Sequence, residues 1–207
     1  GPIAQTLTAS SSAGGTATYT ITPVVGAAGC PGIPVIATVT VNAIPDASAS
    51  NQTICSGATS NVVITNPNLV TGTTYTWTAA VQSGSPTGFA NGSGSVISQA
   101  LSTNNVQGTV RYTITPSANG CSGTAITVDV IVNPVPTASA SNQVICSGTA
   151  TNIVLSNPNL VAGTQYFWTV SQSNVTGASN GGTLAAPVSG PIAQTLTASS
   201  SAGGTAT

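Results

Sequence analysis

The side chains able to do acid, base or redox chemistry in this chain are few enough to name. There are two carboxylates, Asp46 and Asp129, one guanidinium, Arg111, and four thiols, Cys30, Cys55, Cys121 and Cys146; His, Lys, Glu and Met do not occur. Hydrolytic and transfer enzymes need a positioned acid, base or activated nucleophile. Serine and threonine hydroxyls are plentiful, but the composition supplies no base to activate one. The chain is therefore expected not to be an enzyme and to carry no cofactor. A calcium site takes about six to eight oxygens, usually with several carboxylates, so no metal site is expected either. One cation cannot neutralise a run of phosphates, which excludes nucleic acid as a partner.

The thiols lie far apart, without the paired spacing or the histidines of a zinc site. They point to disulfides, which suit a secreted domain with a thin aromatic core. Two connectivities are open. In the first, the bonds lie within domains: Cys55 joins Cys121 across a loop of 66 residues, and Cys146 joins the Cys30 of an adjacent copy. In the second, they staple neighbouring domains lengthwise; the spacing of 25 residues from Cys30 to Cys55 recurs from Cys121 to Cys146. A disulfide closing a loop of this size contributes roughly 2–4 kcal/mol.

What positions these residues is a repeat. Gly1 to Thr18 reads GPIAQTLTASSSAGGTAT, and Gly190 to Thr207 reads the same, an offset of 189. A shorter period lies inside it. Ala47-Ser-Ala-Ser-Asn-Gln-Thr-Ile-Cys-Ser-Gly57 returns at Ala138 to Gly148, and Asn66-Pro-Asn-Leu-Val70 returns at Asn157 to Val161, both at an offset of 91. Tyr75-Thr-Trp77 matches Tyr166-Phe-Trp168; Tyr112-Thr-Ile-Thr-Pro116 matches Tyr19-Thr-Ile-Thr-Pro23; Val130-Ile-Val-Asn133 matches Val39-Thr-Val-Asn42. Repeats of this kind decide the architecture. Pro45 and Pro136 mark the junctions. Residues 1–44 then read as the C-terminal part of one domain, 45–135 as a complete domain, and 136–207 as the N-terminal part of the next. The chain reads as a window on a longer periodic array. Residues 190–207 of one copy are expected to take the place that residues 1–18 of the next describe.

Composition names the class. Charged residues make up 1% of the chain, against the usual quarter or so. The strong helix formers are nearly absent, while Thr, Val and Ile abound between regular Gly and Pro, the mark of short strands joined by turns. Disorder is a poor fit, because disordered chains are rich in charge and poor in β-branched residues. No run approaches the ~20 apolar residues of a spanning helix, so no membrane insertion of this segment is expected.

Alternation places strands at 47–54, 60–65, 73–80, 95–101, 108–115 and 124–132, with a weak one near 81–90. Tyr75, Trp77 and Tyr112 fall on the inward face of the complete domain, and Tyr19, Tyr166 and Trp168 on that of its sisters. A hairpin centred near Gly120 pairs residues whose numbers sum to 240. Tyr112 then faces Val128, and Arg111 faces Asp129 on the outer side. The matching sister positions are Thr18 and Thr38, both neutral. The charges appear together and vanish together, which supports the register.

The combined motif is Pro-x-Ala-Ser-Ala-Ser-Asn-Gln-x-Ile-Cys-Ser-Gly, Gly-Thr-x-Tyr-x-Trp-Thr, Tyr-Thr-Ile-Thr-Pro with Gly-Cys, then Val-x-Val-Asn-x-x-Pro. It resembles the PKD-like repeats of Bacteroidota surface proteins, which include the giant gliding-motility adhesins of flavobacteria. The Trp-Asp-Phe-Gly-Asp-Gly box of ordinary PKD domains does not follow Trp77 or Trp168. The resemblance implies an all-β fold of tandem Ig-like antiparallel β-sandwich domains, export through the type IX secretion pathway, and an extracellular cell-surface filament. On this reading the partners are adjacent copies of the same repeat, head to tail. The alternative is a binding module for surface glycans, acting through turns such as Gly84 to Gly92.

Overall fold

The computed structural model describes residues 1–27 and 29–207. The chain forms strands and turns, with no helix among the described residues. It divides into two compact units, one holding residues 1–103 and 107–133, the other 104–106 and 134–207.

In the first unit, strands β1 (Gly15–Ile21) and β2 (Val35–Val41) form an antiparallel hairpin. The sandwich follows. One layer takes β3 (Gln52–Cys55), β5 (Thr74–Ser83), β6 (Gly92–Ser93), β8 (Gly108–Ala118), β9 (Cys121–Ser122) and β10 (Ile126–Asn133), in the order β3-β10-β8-β5-β6, with β9 folded back on β8. The facing layer is the pair β4 (Val62–Val63) and β7 (Val96–Ile97), extended by bridges Ser48↔Thr65 and Thr59↔Ala100. Along β8 every second residue is buried, the period-two pattern of a strand with one face inward. Val110, Tyr112 and Ile114 meet Val128, Val130 and Val132 in the core, with Tyr75 and Trp77 beside them and Val62, Ile64, Ile97 and Leu101 opposite.

The hairpin register is as expected. Tyr112 pairs with Val128, Arg111 with Asp129 and Ile114 with Ile126. In the sister hairpin Thr18 lies opposite Thr38. The turn is Asn119-Gly120, with φ of 51° and 80°, the left-handed pair that a two-residue hairpin turn requires.

Two expectations need correction. The sandwich is not wholly antiparallel, because β3 runs parallel to β10, with Cys55 opposite Asn133. The strands expected at 47–54, 60–65 and 95–101 form only short ladders. There the Ser60 hydroxyl interposes itself: it donates to the Ile97 carbonyl at 3.0 Å and accepts from the Gln99 amide at 3.0 Å. Side chains thus take over part of what backbone ladders were expected to do.

Trp77 explains a glycine. A methyl group on Gly92 would sit 2.6 Å from the indole Cζ2, while the indole N–H donates to the Ala90 carbonyl. Gly181 lies against Trp168 in the same way.

The second unit contains β11 (Thr149–Ala150), β12 (Gln172–Ser173), β13 (Val175–Thr176), β14 (Thr195–Ala198) and β15 (Thr205–Ala206). They pair as β11-β14-β13 and β12-β15. Thr151 is the one buried side chain described here; Tyr166 and Trp168 are half-buried.

Gly92→Ala is expected to destabilise the first unit by about 1–3 kcal/mol, the usual cost of overpacking a core. A lowered urea midpoint followed by tryptophan fluorescence would register it; an unchanged midpoint would mean the indole can move aside.

Candidate functional site

Among the described residues no group of three or more His, Cys, Asp or Glu side chains comes together. The chemistry-bearing residues are spread out, and what they do is structural. Arg111 grips Asp129 through one edge of its guanidinium, Nε donating to Oδ1 and Nη2 to Oδ2, each at 2.7 Å. The Asp129 amide also donates to the Asn51 side-chain oxygen. Hydrogen bonding from Arg111 holds the Asp129 carboxyl below its ordinary range. Asp46 accepts from the Asn68 amide at 3.0 Å, and the Asn68 side chain donates to the Ile44 carbonyl at 2.8 Å. At the sister junction Thr137 replaces Asp46, and Asn159 donates to the Val135 carbonyl at 2.7 Å. The repeated Asn-Pro-Asn-Leu-Val motif is therefore a clamp on the linker that precedes each domain. Its cost shows in Leu69 and Leu160, held at φ 58° and 56°, where a β-carbon is unfavourable.

The four cysteines are free thiols. The expected bond between Cys55 and Cys121 is ruled out by their places in the sheet. Cys55 is level with Asn133, at the end of β10, whereas Cys121 pairs with Ala118, ahead of the start of β10. The seven steps from Ile126 to Asn133 span roughly 23 Å at strand rise. A disulfide needs α-carbons within about 7 Å. The same objection meets a bond of Cys146 to an adjacent Cys30 within one sandwich. Cys146 repeats the setting of Cys55, since Gly148 donates to Leu196 as Gly57 does to Leu101, both at 2.8 Å. Cys30 lies near the tip of the β1–β2 hairpin, as Cys121 does at the tip of β8 and β10.

The duplicated residues pair through different strand edges in their two places. In the complete sandwich β8 is central: Val110 pairs with Val130 of β10 on one edge and with Val81 of β5 on the other. The counterpart of Val110 is Ala17 in β1 and its duplicate Ala206 in β15. Ala17 pairs with Val39, the counterpart of Val130. Ala206 pairs with Gln172, the counterpart of Val81. One sequence thus forms a ladder through one edge in the first unit and through the opposite edge in the second. Both ladders keep the register of the complete domain.

Sequence reasoning overlooked a glutamine that follows the same rule. Gln99 accepts from the Ala90 amide, donates back to the Ala90 carbonyl, and accepts the Tyr112 hydroxyl at 2.8 Å. Its duplicated counterparts divide the work. Gln194 accepts from the Ser179 amide and donates to the Ser179 carbonyl. Gln5 accepts the Tyr19 hydroxyl at 2.7 Å. The signal was available in the sequence: Ile-x-Gln-x-Leu occurs at Ile97, Ile192 and Ile3 alike.

Residues 52–136 match the family model of the PKD-like domain. No curated protein matches the chain significantly. Among solved structures, the chicken CNTN1 FN1–FN3 domains are similar, at 12% identity and a TM-score of 0.26. The match covers 91% of this chain and 66% of that one, just under two thirds of its length. At that score the similarity carries no argument, and the sandwich rests on the sheets described above and on the PKD-like match.

Stability is expected to be level from about pH 5 to 8, with shoulders outside. Burial pushes the Tyr112 hydroxyl up to about 12 and raises that of Tyr75, with the Asp46 charge adding to it. A raised tyrosine favours folding below its ordinary value of about 10, and that stability is lost as pH climbs through the folded value. Asp129 is depressed, so its contribution is present above pH ~4 and is lost on acidification. Urea midpoints against pH would test this; Tyr112→Phe should remove most of the alkaline fall.

Proposed function

We propose that this chain, with its PKD-like domain at residues 52–136, is the repeating segment of an extracellular bacterial filament or adhesin stalk. Its role is structural. The segment consists of tandem sandwiches, and its partners are adjacent copies of the same repeat, head to tail. The half-domain at 136–207 is completed by residues equivalent to 19–44 of the next copy.

One observation supports this most directly: the duplicated strand uses opposite edges in its two settings. Superposed, they rebuild the central strand of the complete domain, flanked on both sides in native register. Gln5 and Gln194 superpose in the same way into the full set of bonds that Gln99 makes. The exposed faces agree with it. Val35 and Val39 on the hairpin are largely open. Their counterparts on β10 of the complete domain are Ile126, packed against the core, and Val130, buried in it. Burying apolar area of this kind contributes about 25 cal/mol per Å².

The near absence of charge fits the role. Almost nothing titrates at neutral pH, and little is screened by salt. The motif resemblance to Bacteroidota surface repeats, including those of gliding-motility adhesins, supports the same placement at the cell surface. PKD-like domains are typical of extracellular proteins.

Electron microscopy of the native assembly is the direct measurement. The expected image is a fibre whose axial repeat holds one domain pair or a whole number of pairs. Discrete, isolated particles would sink the proposal.

A further inference from the structure

We infer that the cysteines cross-link successive domains across their junctions. Cys121 bonds to the Cys146 of the preceding copy, and Cys55 to the Cys30 of the following one. This rests on the head-to-tail reading above and adds a covalent staple to it.

The first unit contains one such junction, between the β1–β2 hairpin and the complete sandwich. Asn42, immediately after β2, donates its side-chain N–H to the Asn119 carbonyl at 2.8 Å. Next to it, Ala43 packs with Val70 and Ala118 in a small buried cluster. On the sandwich side, Ala118 is the ladder partner of Cys121. On the hairpin side, Asn42 is the counterpart of Asn133, whose ladder partner in the complete domain is Cys55. The Cys55 counterpart in the hairpin's own domain type is Cys146. When a strand like β3 lies beside β2, it therefore sets Cys146 opposite Asn42, about 4.8 Å away. The two thiols then lie on the two chains that meet at the Asn42–Asn119 contact, Cys146 one strand spacing from Asn42 and Cys121 two residues from Asn119.

The linker leading into the second unit is clamped by Asn159 as the first is by Asn68. Cys55 and Cys30 are the repeat counterparts of Cys146 and Cys121, so the same pairing is assigned to Cys55 and the Cys30 of the following copy. Both bonds join different copies. The spacing of 25 residues within one copy is a by-product of the repeat: Cys30 and Cys55 lie toward the far ends of their two domains, not at the shared junction. This pairing also accounts for four free thiols in a single chain, three of them exposed and Cys121 partly so.

The chemistry balances with a small-molecule disulfide as oxidant. A thiolate attacks oxidised glutathione to give a mixed disulfide, and the second cysteine displaces the remaining glutathione. One S–S bond forms, one breaks, and two reduced glutathione molecules carry away the protons and electrons.

The test uses an equimolar mixture of unlabelled and nitrogen-15-labelled full-length chain, assembled at high concentration with oxidised glutathione. Linked peptides are then mapped by mass spectrometry without reduction. Expected are Cys121–Cys146 and Cys30–Cys55 peptides, about half of them of mixed isotope, with a ladder on non-reducing gels that collapses on reduction. Cys121→Ser should abolish the first linked peptide and leave the second. Uniform-isotope pairs alone would place the bonds within one copy, and Cys55–Cys121 peptides would place them within one sandwich; either overturns the inference. Sedimentation of the reduced sample separates the two proposals. Assembly without linked peptides overturns the staple alone, whereas no assembly overturns the head-to-tail reading and the staple with it.

Discussion

The fold turns on one strand having partners on both edges. A β-strand has no internal hydrogen bonds; its backbone donors and acceptors are satisfied only by neighbours. Where β8 has β5 on one side and β10 on the other, its alternate residues are fully buried and a core closes over them. Where the same type of strand has a ladder on one edge only, as in β1 and β15, its surroundings stay half-open. The duplicated residues show this at fixed sequence. Thr195 to Ala198 is strand β14 between β11 and β13, while the identical Thr6 to Ala9 has no ladder. Propensity is the same in both places, so partnership decides.

In place of charge, the chain uses amides and hydroxyls. Gln99, Gln194 and Gln143 each present a carbonyl and an N–H side by side, and each pairs with a single backbone residue as a neighbouring strand would: Ala90, Ser179 and Asn152. Ser60 and Thr151 do the same work inward, tying Ile97 and Ile192. These groups stay neutral at every pH a cell meets. The two carboxylates and one guanidinium are kept for places where geometry needs a fixed direction, a ladder register at Arg111 and Asp129 and a linker clamp at Asp46.

Much of this was legible in the sequence, and the reasons are physical. Period-two alternation is strong wherever a strand has one buried face, so the β8–β10 hairpin, its register and its ion pair were readable from residue types alone. So were Tyr75, Trp77 and Tyr112, the aromatics of the complete domain's core, because each alternates with polar residues. The short strands of the facing layer were misread, since Ser60 looks like any strand residue until its hydroxyl is seen standing in for a ladder. The parallel course of β3 left no mark, because alternation does not report direction. The disulfide pairing stayed open for a related reason: sequence showed one early and one late cysteine per domain but not that they stand at opposite ends of β10.

That parallel pair bears on the stalk role proposed above. The chain enters the complete sandwich near Pro45, runs up β3, and leaves along β10 beside it in the same direction. Tension pulls the entering strand back toward the preceding domain and the leaving strand onward toward the next. The two adjacent strands are therefore drawn past each other, and the four residue pairs from Val130↔Gln52 to Asn133↔Cys55 resist together rather than parting one at a time. An antiparallel pairing of the same two strands would put both chain ends on the same end of the ladder, where bonds unzip singly. The Asn68 clamp on Ile44 and Asp46 then passes tension to the sandwich at its first residues, before β3 is reached. In the stalk proposed above, load would therefore enter at the clamped linker and be borne in shear by the β3–β10 ladder.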